Sequence, residues 1–97
     1  MAKWSADPIS QELPRLMAAD PGLSLRQVAQ RANVDPSHLS RALRGKGDKR
    51  VSAELAGRVA TALDLPVDYF PEYREGVVVE ALRTDPALRD RLYRRLR

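Results

Sequence analysis

Apolar residues recur along this chain at intervals of three and four positions, which is the spacing of one face of an α-helix. The two clearest stripes are Val28, Ala29 and Ala32, and then Leu39, Ala42 and Leu43. Similar stripes predict further helices over about residues 8–19, 52–63, 72–83 and 86–97. The pattern therefore predicts an all-α fold, a compact bundle of five to seven short helices.

Capping residues mark the ends of the two central helices. Ser24 and Gln27 have the spacing of a capping box, in which each side chain bonds the other's backbone N–H. Asn33 tolerates left-handed backbone geometry and is predicted to end the first helix. Asp35 and Pro36 then supply an N-cap and a first helical residue for the second helix. Two short helices joined by a tight turn follow from these residues.

Further Asp-Pro pairs predict where the outer helices begin. The pairs at 7–8 and 85–86 are expected to act as N-cap and first helical residue, whereas Asp20-Pro21-Gly22 is predicted to be a turn. Ser52 is expected to cap the helix that follows it. Pro14 falls inside the first predicted helix and should kink it or shift its start.

The stretch LSLRQVAQRANVDPSHLSRALRG, residues 23–45, resembles the helix-turn-helix of the Cro/C1 repressor-like (XRE) family. The resemblance extends over about residues 9–70, and Ala29 matches the small residue where the two motif helices touch. It implies a lambda-repressor-like fold that binds double-stranded DNA, with the second helix in the major groove. The chain departs from the family at Asn33, where Gly is usual, and at Pro36-Ser37, where well-known members carry Gln. No particular operator sequence is therefore implied.

The net charge of +4 is concentrated on the same stretch. Residues 23–51 hold seven Lys and Arg against two Asp, a net charge of +5, whereas residues 52–97 are neutral overall. A focused basic patch of this kind is the electrostatic footprint of a phosphate-binding surface.

The resemblance assigns candidate DNA contacts by position. Pro36, Ser37 and Arg41 match the base-reading positions, and His38 is adjacent to them. Arg41 can bind the O6 and N7 atoms of a guanine through two parallel hydrogen bonds; its alternative role is a phosphate contact, and the alternative for His38 is a solvated surface residue. The residues placed to hold phosphates are Ser24, Arg26, Arg44, Lys46, Lys49 and Arg50.

Residues 72–97 go beyond the minimal family domain. We therefore expect a DNA-binding domain over 1–71 and, packed on it, a C-terminal helical pair over 72–97. Charge is segregated in this pair, since residues 64–85 hold six carboxylates against two Arg, and residues 86–97 hold five Arg against one Asp. We expect the pair to form a homodimer interface; the alternative is that it covers the core of one monomer. The interface residues predicted are Val77, Leu82, Leu88, Leu92 and Tyr93.

Several other classes of protein are disfavoured by composition and spacing. The chain has no Cys and a single His, so no metal site, cofactor or small-molecule ligand is expected. Asp35, Ser37 and His38 have the residue types of a catalytic triad, but they lie at one helix end and point in different directions. Glu72, Glu75 and Glu80 lie beside arginines and are predicted to form a salt-bridged surface. No enzyme is expected.

The ends of the chain carry two further expectations. No apolar run is long enough for a membrane span or a signal peptide, so a cytoplasmic, nucleoid-associated protein is predicted. Trp4 is expected to pack on its own domain rather than to reach along DNA with Lys3.

The sequence thus predicts a sequence-specific DNA-binding transcription regulator, a repressor that acts as a homodimer on an inverted repeat. Two alternatives stay open. One is an antitoxin-like protein whose C-terminal helices mask a partner toxin and which regulates its own synthesis. The other is a nucleoid-type DNA binder with little sequence preference. All three would bind DNA, so the motif does not separate them.

Overall fold

The computed structural model describes residues 4–44 and 51–97, and these residues form helices, turns and irregular segments only. The helices in chain order are α1 (Ile9–Ala19), α2 (Leu25–Ala32), α3 (Pro36–Arg44), α4 (Ala53–Ala62), α5 (Pro71–Thr84) and α6 (Pro86–Leu96). The predicted all-α fold class is confirmed, and the six helices fall within the expected number. Across the described ranges, each helix is too short or too polar to cross a membrane.

The helices pack on one another in a defined order. Helix α4 packs on α2 and on α5, while α3 packs on the far side of α2 and is also contacted by α1. Helix α6 packs on α5. Helix α6 therefore packs on the helix that follows the first four in the chain, and the molecule has extents of 48 × 32 × 20 Å.

The hydrophobic core lies between the first four helices and is closed by Phe70, which precedes α5. Its fully buried members include Ile9, Leu13, Val28, Ala29, Leu39, Ala56, Val59, Ala60 and Phe70. The apolar stripes predicted for α2 and α3 are thus the faces that these helices bury. Helices α5 and α6 add no buried residue, and α5 reaches this core through the half-buried Tyr73.

Local capping signals are realised at three helix starts. The backbone N–H of Ser24 donates to Gln27 Oε1 at 2.9 Å, and the N–H of Gln27 donates to Ser24 Oγ at 3.2 Å, which completes the predicted capping box. Ser52 and Asp85 accept from the third residue of their own helices, as predicted. These bonds satisfy N–H groups that have no partner inside the helix.

The start of α1 differs from the prediction. Asp7 does not cap this helix; it pairs with Arg15 at 2.9 Å. The first N–H of α1, that of Ile9, instead donates to both carboxylate oxygens of Glu72 at 3.1 Å each. Glu72, which we expected in a salt-bridged surface, is therefore the cap of α1, where its negative charge also complements the helix dipole. The helix continues through Pro14.

Arg74 holds the N-terminal segment against the start of α5. Its guanidinium group donates to the backbone carbonyls of Ser5 and Tyr69. The same group lies over the Trp4 ring, 4.8 Å from the ring centroid, a distance at which a cation and an aromatic ring attract each other. Trp4 thus packs on its own domain, as predicted, with half of its surface still exposed.

Tyr69 ties the segment before α5 to α1. Its hydroxyl donates to a carboxylate oxygen of Glu12. This hydrogen bond, together with burial and the negative charge of Glu12, raises the pKa of the Tyr69 hydroxyl above its ordinary value. Glu72, Arg74 and the Ser5 N–H, which donates to the Tyr69 carbonyl at 2.8 Å, provide further polar links between the N-terminal part of the chain and residues 69–74.

Helices α4 and α5 approach most closely at Gly76. A Cβ atom on Gly76 would lie 2.5 Å from the Cβ of Ala53, closer than two carbon atoms can pack. At Gly57 on α4, a Cβ would lie 3.1 Å from Val67 and 3.2 Å from the Tyr73 ring. The absence of a side chain at Gly76 is therefore what lets the start of α4 rest on α5.

Candidate nucleic-acid interface

The turn between α2 and α3 fixes the direction of α3. Asn33 has φ 58° and ψ 47°, the left-handed conformation that its position in the turn requires. The next N–H, that of Val34, donates to the Ala29 carbonyl at 2.9 Å. Asp35 Oδ1 then accepts from the N–H of Ser37 at 2.7 Å and from that of His38 at 3.4 Å, so Asp35 caps α3 as predicted. These hydrogen bonds give the N–H groups of Val34, Ser37 and His38 local partners.

Helix α3 has one buried face and one face turned to solvent. Leu39 is fully buried, and Ala42 and Leu43 are half-buried against the core. On the opposite side, a shallow groove of about 350 Å³ is lined by Pro36, Ser37, Ser40, Arg41 and Arg44. We call this the α3 groove. The α3 groove lies on the outward face of its helix, which is the face that contacts the DNA major groove in helix-turn-helix docking.

The structure brings three of the four predicted base-contact residues together. Pro36, Ser37 and Arg41 all line the α3 groove, whereas His38 is exposed but does not line it. Successive residues of an α-helix are rotated by about 100°, which turns His38 away from Ser37 toward the flank of the helix. The geometry therefore favours the alternative for His38, a solvated surface residue.

The two arginines of the α3 groove are free to bind an anion from outside. Arg41 and Arg44 form no ion pair with a carboxylate of residues 4–44 or 51–97. By contrast, Arg58 is held by Glu54 at 3.0 Å. Free guanidinium groups in a groove lined by serines present hydrogen-bond donors in the forked geometry that suits guanine edges and phosphates.

The predicted phosphate contacts are only partly within the described residues. Ser24, Arg26 and Arg44 are exposed at the amino end of α2 and at the carboxyl end of α3. Ser24 Oγ accepts a backbone N–H, and its own hydroxyl proton remains available to a phosphate oxygen. Lys46, Lys49 and Arg50 lie outside the described residues.

Ser40 is the groove residue that sequence reasoning did not place among the candidate contacts. It lies three residues after Ser37 and four before Arg44, so helical spacing brings all three to one face. Its half-buried side chain lines the α3 groove. Helical spacing in the sequence already places Ser40 on the outward face of α3 with Ser37, Arg41 and Arg44, although Ser40 is not among the predicted DNA contacts.

The described residues offer little to a metal ion. Nowhere in 4–44 or 51–97 do three or more His, Cys, Asp or Glu side chains gather as a metal-binding group. Asp35 is engaged in capping α3, and Glu72 in capping α1. The α3 groove contains donors and positive charge, which suits anion recognition.

The C-terminal helices expose apolar surface. Of the residues predicted for an interface, Leu82, Leu88 and Leu92 are half-buried within the chain, whereas Val77 is 53% and Tyr93 65% exposed. Three apolar residues outside the predicted set, Val78, Val79 and Leu96, are also exposed. Part of the predicted interface thus packs between α5 and α6, and the remainder faces solvent.

These features define a helix-turn-helix protein, in which a capped helical hairpin presents one charged helix to solvent. A helix-turn-helix family model matches residues 20–70, more than half of the chain, and the chain belongs to the Cro/C1-type (XRE) helix-turn-helix family. It is therefore a DNA-binding transcription regulator of that type, whose partner is double-stranded DNA. No curated protein and no solved structure gives a significant match. The matched range includes α2, α3 and α4, and leaves α1, α5 and α6 outside it.

Proposed function

We propose that this regulator is a repressor that binds a specific inverted repeat as a homodimer. The observation that carries the proposal is the α3 groove, in which two serines and two arginines without a carboxylate partner in 4–44 or 51–97 share the face opposite the buried Leu39. A surface with several donors at fixed helical spacing can distinguish base edges, whereas a merely basic surface cannot. Repression then requires only that the protein occupy a promoter site.

The roles of the individual residues follow from their place on α3. Arg41 lines the α3 groove together with Ser37 and Ser40, and it is proposed to bind a guanine edge. Pro36 has no donor and would contact a thymine methyl group. The proposed phosphate contacts are Ser24, Arg26, Arg44, Lys46, Lys49 and Arg50, which would fix the register of α3 without reading sequence.

The proposed homodimer follows from the small reach of one recognition helix. A nine-residue helix such as α3 meets only a few base pairs. Two copies whose half-sites are centred one DNA turn apart, about 34 Å, reach the affinity range of specific binding. The exposed apolar residues of α5 and α6 and their opposite charges support placing the interface there. We accordingly propose 1–71 as the DNA-binding part and 72–97 as its dimerisation extension.

Selection from a random duplex library at about 150 mM salt, near physiological ionic strength, tests this function. We expect enrichment of an inverted repeat with half-site centres about one turn apart. Enrichment of single half-sites would contradict the homodimer. Binding without enrichment would support the nucleoid-type alternative, and absence of binding would favour the antitoxin-like alternative, in which the tail meets a partner protein.

The double substitution Val77→Lys and Tyr93→Lys should weaken the homodimer. Each lysine would bring a charge into an apolar contact, and each substitution occurs twice because the two protomers are identical. The dimer dissociation constant should therefore rise by roughly 10- to 100-fold. Sedimentation equilibrium measures this constant directly. Val67→Lys is the matched control, because Val67 is similarly exposed but precedes α5. An equal effect of the control, or no effect of the double substitution, would place the interface elsewhere.

A further inference from the structure

We propose that the outer face of α6 is a second DNA-binding surface, which holds the phosphates of a duplex segment other than the one at α3. The surface consists of Arg91, Arg94 and Arg95, and we call it the α6 arginine face. No part of the family match includes it, since that match ends at residue 70. Because a second contact matters only in a DNA-binding protein, the proposal rests on the DNA-binding function given above.

The three arginines form one surface by helical spacing. Arg91, Arg94 and Arg95 stand at positions i, i+3 and i+4 of α6, which places them on the same side of the helix. All three are exposed, and none forms an ion pair with a carboxylate of the described residues. The neighbouring Arg89 differs, since its Nε donates to Asp90 Oδ1 at 2.9 Å. The face therefore carries three charges that the fold itself does not neutralise.

The composition of the segment favours phosphate as the ligand. Residues 86–97 contain five Arg, no Lys and one Asp, a net charge of +4. The planar guanidinium group presents two parallel N–H donors that match two phosphate oxygens, a fixed geometry that an ammonium group lacks. Basic residues also stabilise the last turn of a helix through its dipole, and Arg94 and Arg95 lie there. That effect is confined to the last turn, so it does not account for Arg91 on the same face.

The α6 arginine face is turned away from the exposed Tyr93 of the same helix. Leu88 and Leu92 are half-buried, and α6 packs on α5. Helical rotation of about 100° per residue places the mean direction of the arginines roughly opposite Tyr93, although Arg95 itself lies close to the direction of Leu88. The arginines have no carboxylate partner among the described residues, and an apolar dimer contact through Tyr93 would leave them exposed.

The position of α6 determines which DNA it can reach. Helix α6 packs on α5, whereas α3 packs on α2 and α1, in a molecule whose longest extent is 48 Å. In the proposed arrangement, a straight duplex held in the α3 groove does not also reach the α6 arginine face. The phosphates bound there would belong to a second segment, so the protein would bridge two segments of DNA.

Two variants of equal charge test the proposal. The first is Arg91→Gln/Arg94→Gln/Arg95→Gln. The matched control is Arg15→Gln/Arg58→Gln/Arg89→Gln, in which each arginine is already paired with a carboxylate at 2.9, 3.0 and 2.9 Å respectively. Both variants lower the net charge of +4 by three, so a general charge effect is the same in each.

Two quantities are measured. The first is the salt dependence of binding to a random-sequence duplex. The second is the capture, which is the amount of a labelled duplex that the protein retains when it is already bound to a duplex on beads. The slope of log K against log salt is negative, and its magnitude should be smaller in the first variant than in the control by roughly 2 to 3. This corresponds to about 0.9 for each phosphate contact removed. The first variant should also lose most of the capture, which the wild type and the control retain. Sequence enrichment from the random library, the test of the proposed function, should be unchanged in the first variant.

Two results would overturn the second surface without touching the proposed function. One is an equal salt slope and equal capture in the two triple variants. The other is loss of the homodimer in the first variant alone, measured by sedimentation equilibrium. That result would mean that the arginines form ion pairs with the acidic α5 of a second copy. Failure of the wild type to enrich any sequence would instead contradict the proposed function, and capture would still report on the α6 arginine face.

Discussion

Arg41→Ala is expected to relax sequence preference at one position of each half-site by about 1–3 kcal/mol, or roughly 5- to 150-fold. Arg41 lines the α3 groove without a carboxylate partner among the described residues, so its donors are available to a base edge. Binding to the selected duplex and to duplexes with each base at that position, measured by fluorescence anisotropy, gives the discrimination directly. The loss should be confined to one base pair per half-site.

Arg44→Ala is the matched control for this prediction. Arg44 lines the same groove three residues later, at the end of α3, and is proposed to hold a phosphate. Its removal should weaken all duplexes about equally and reduce the salt slope by roughly 1. If Arg41→Ala behaved in the same uniform way, Arg41 would be a phosphate contact and the base reader would have to be sought among Ser37 and Ser40.

Gly76→Ala is expected to lower the free energy of unfolding by about 1–3 kcal/mol. The added Cβ would lie 2.5 Å from the Cβ of Ala53, so α4 and α5 would have to move apart. For a domain of this size, each 1 kcal/mol corresponds to a fall in melting temperature of about 4–8 °C. Thermal unfolding followed by circular dichroism measures the change.

Two further variants show whether the clash is the cause. Gly57→Ala should cost less, because the nearest atoms to its Cβ, at 3.1 and 3.2 Å, belong to the side chains of Val67 and Tyr73. Ala53→Gly combined with Gly76→Ala should regain most of the lost stability, since it removes the opposing Cβ. A melting temperature unchanged by Gly76→Ala would show that α4 and α5 do not cross as closely as described.

The helix-turn-helix could be predicted because its determinants are local. Ser24 and Gln27 cap α2 from within one turn, and Asp35 caps α3 from two and three residues away. The exposed face of α3 followed from helical spacing, which brought Ser37 and Arg41 together as expected. The individual DNA contacts and the homodimer stay predictions, and Lys46, Lys49 and Arg50 lie outside the described residues.

The features that could not be predicted depend on residues far apart in sequence. Glu72 caps α1 through Ile9, 63 positions earlier, and no local pattern announces that contact. Asp7-Pro8 had the form of a helix start, yet the long-range carboxylate took the role that Asp7 was expected to fill. Likewise, Gly76 looks like a weak point of α5 until its closeness to Ala53 is known. Pattern reasoning finds helices, whereas the contacts between them depend on tertiary packing.

The cap that Glu72 provides links the C-terminal helices to the helix that packs on the recognition helix. The carboxylate belongs to the first turn of α5, the helix whose later residues are exposed, and the N–H group that it binds is that of Ile9 in α1, which packs on α3. A ligand that tilted α5 would therefore either carry α1 with it or leave this N–H group without its partner. Such a ligand would be coupled to the recognition helix through α1. By reciprocity, DNA held at α3 would change the affinity of whatever binds the tail by the same factor.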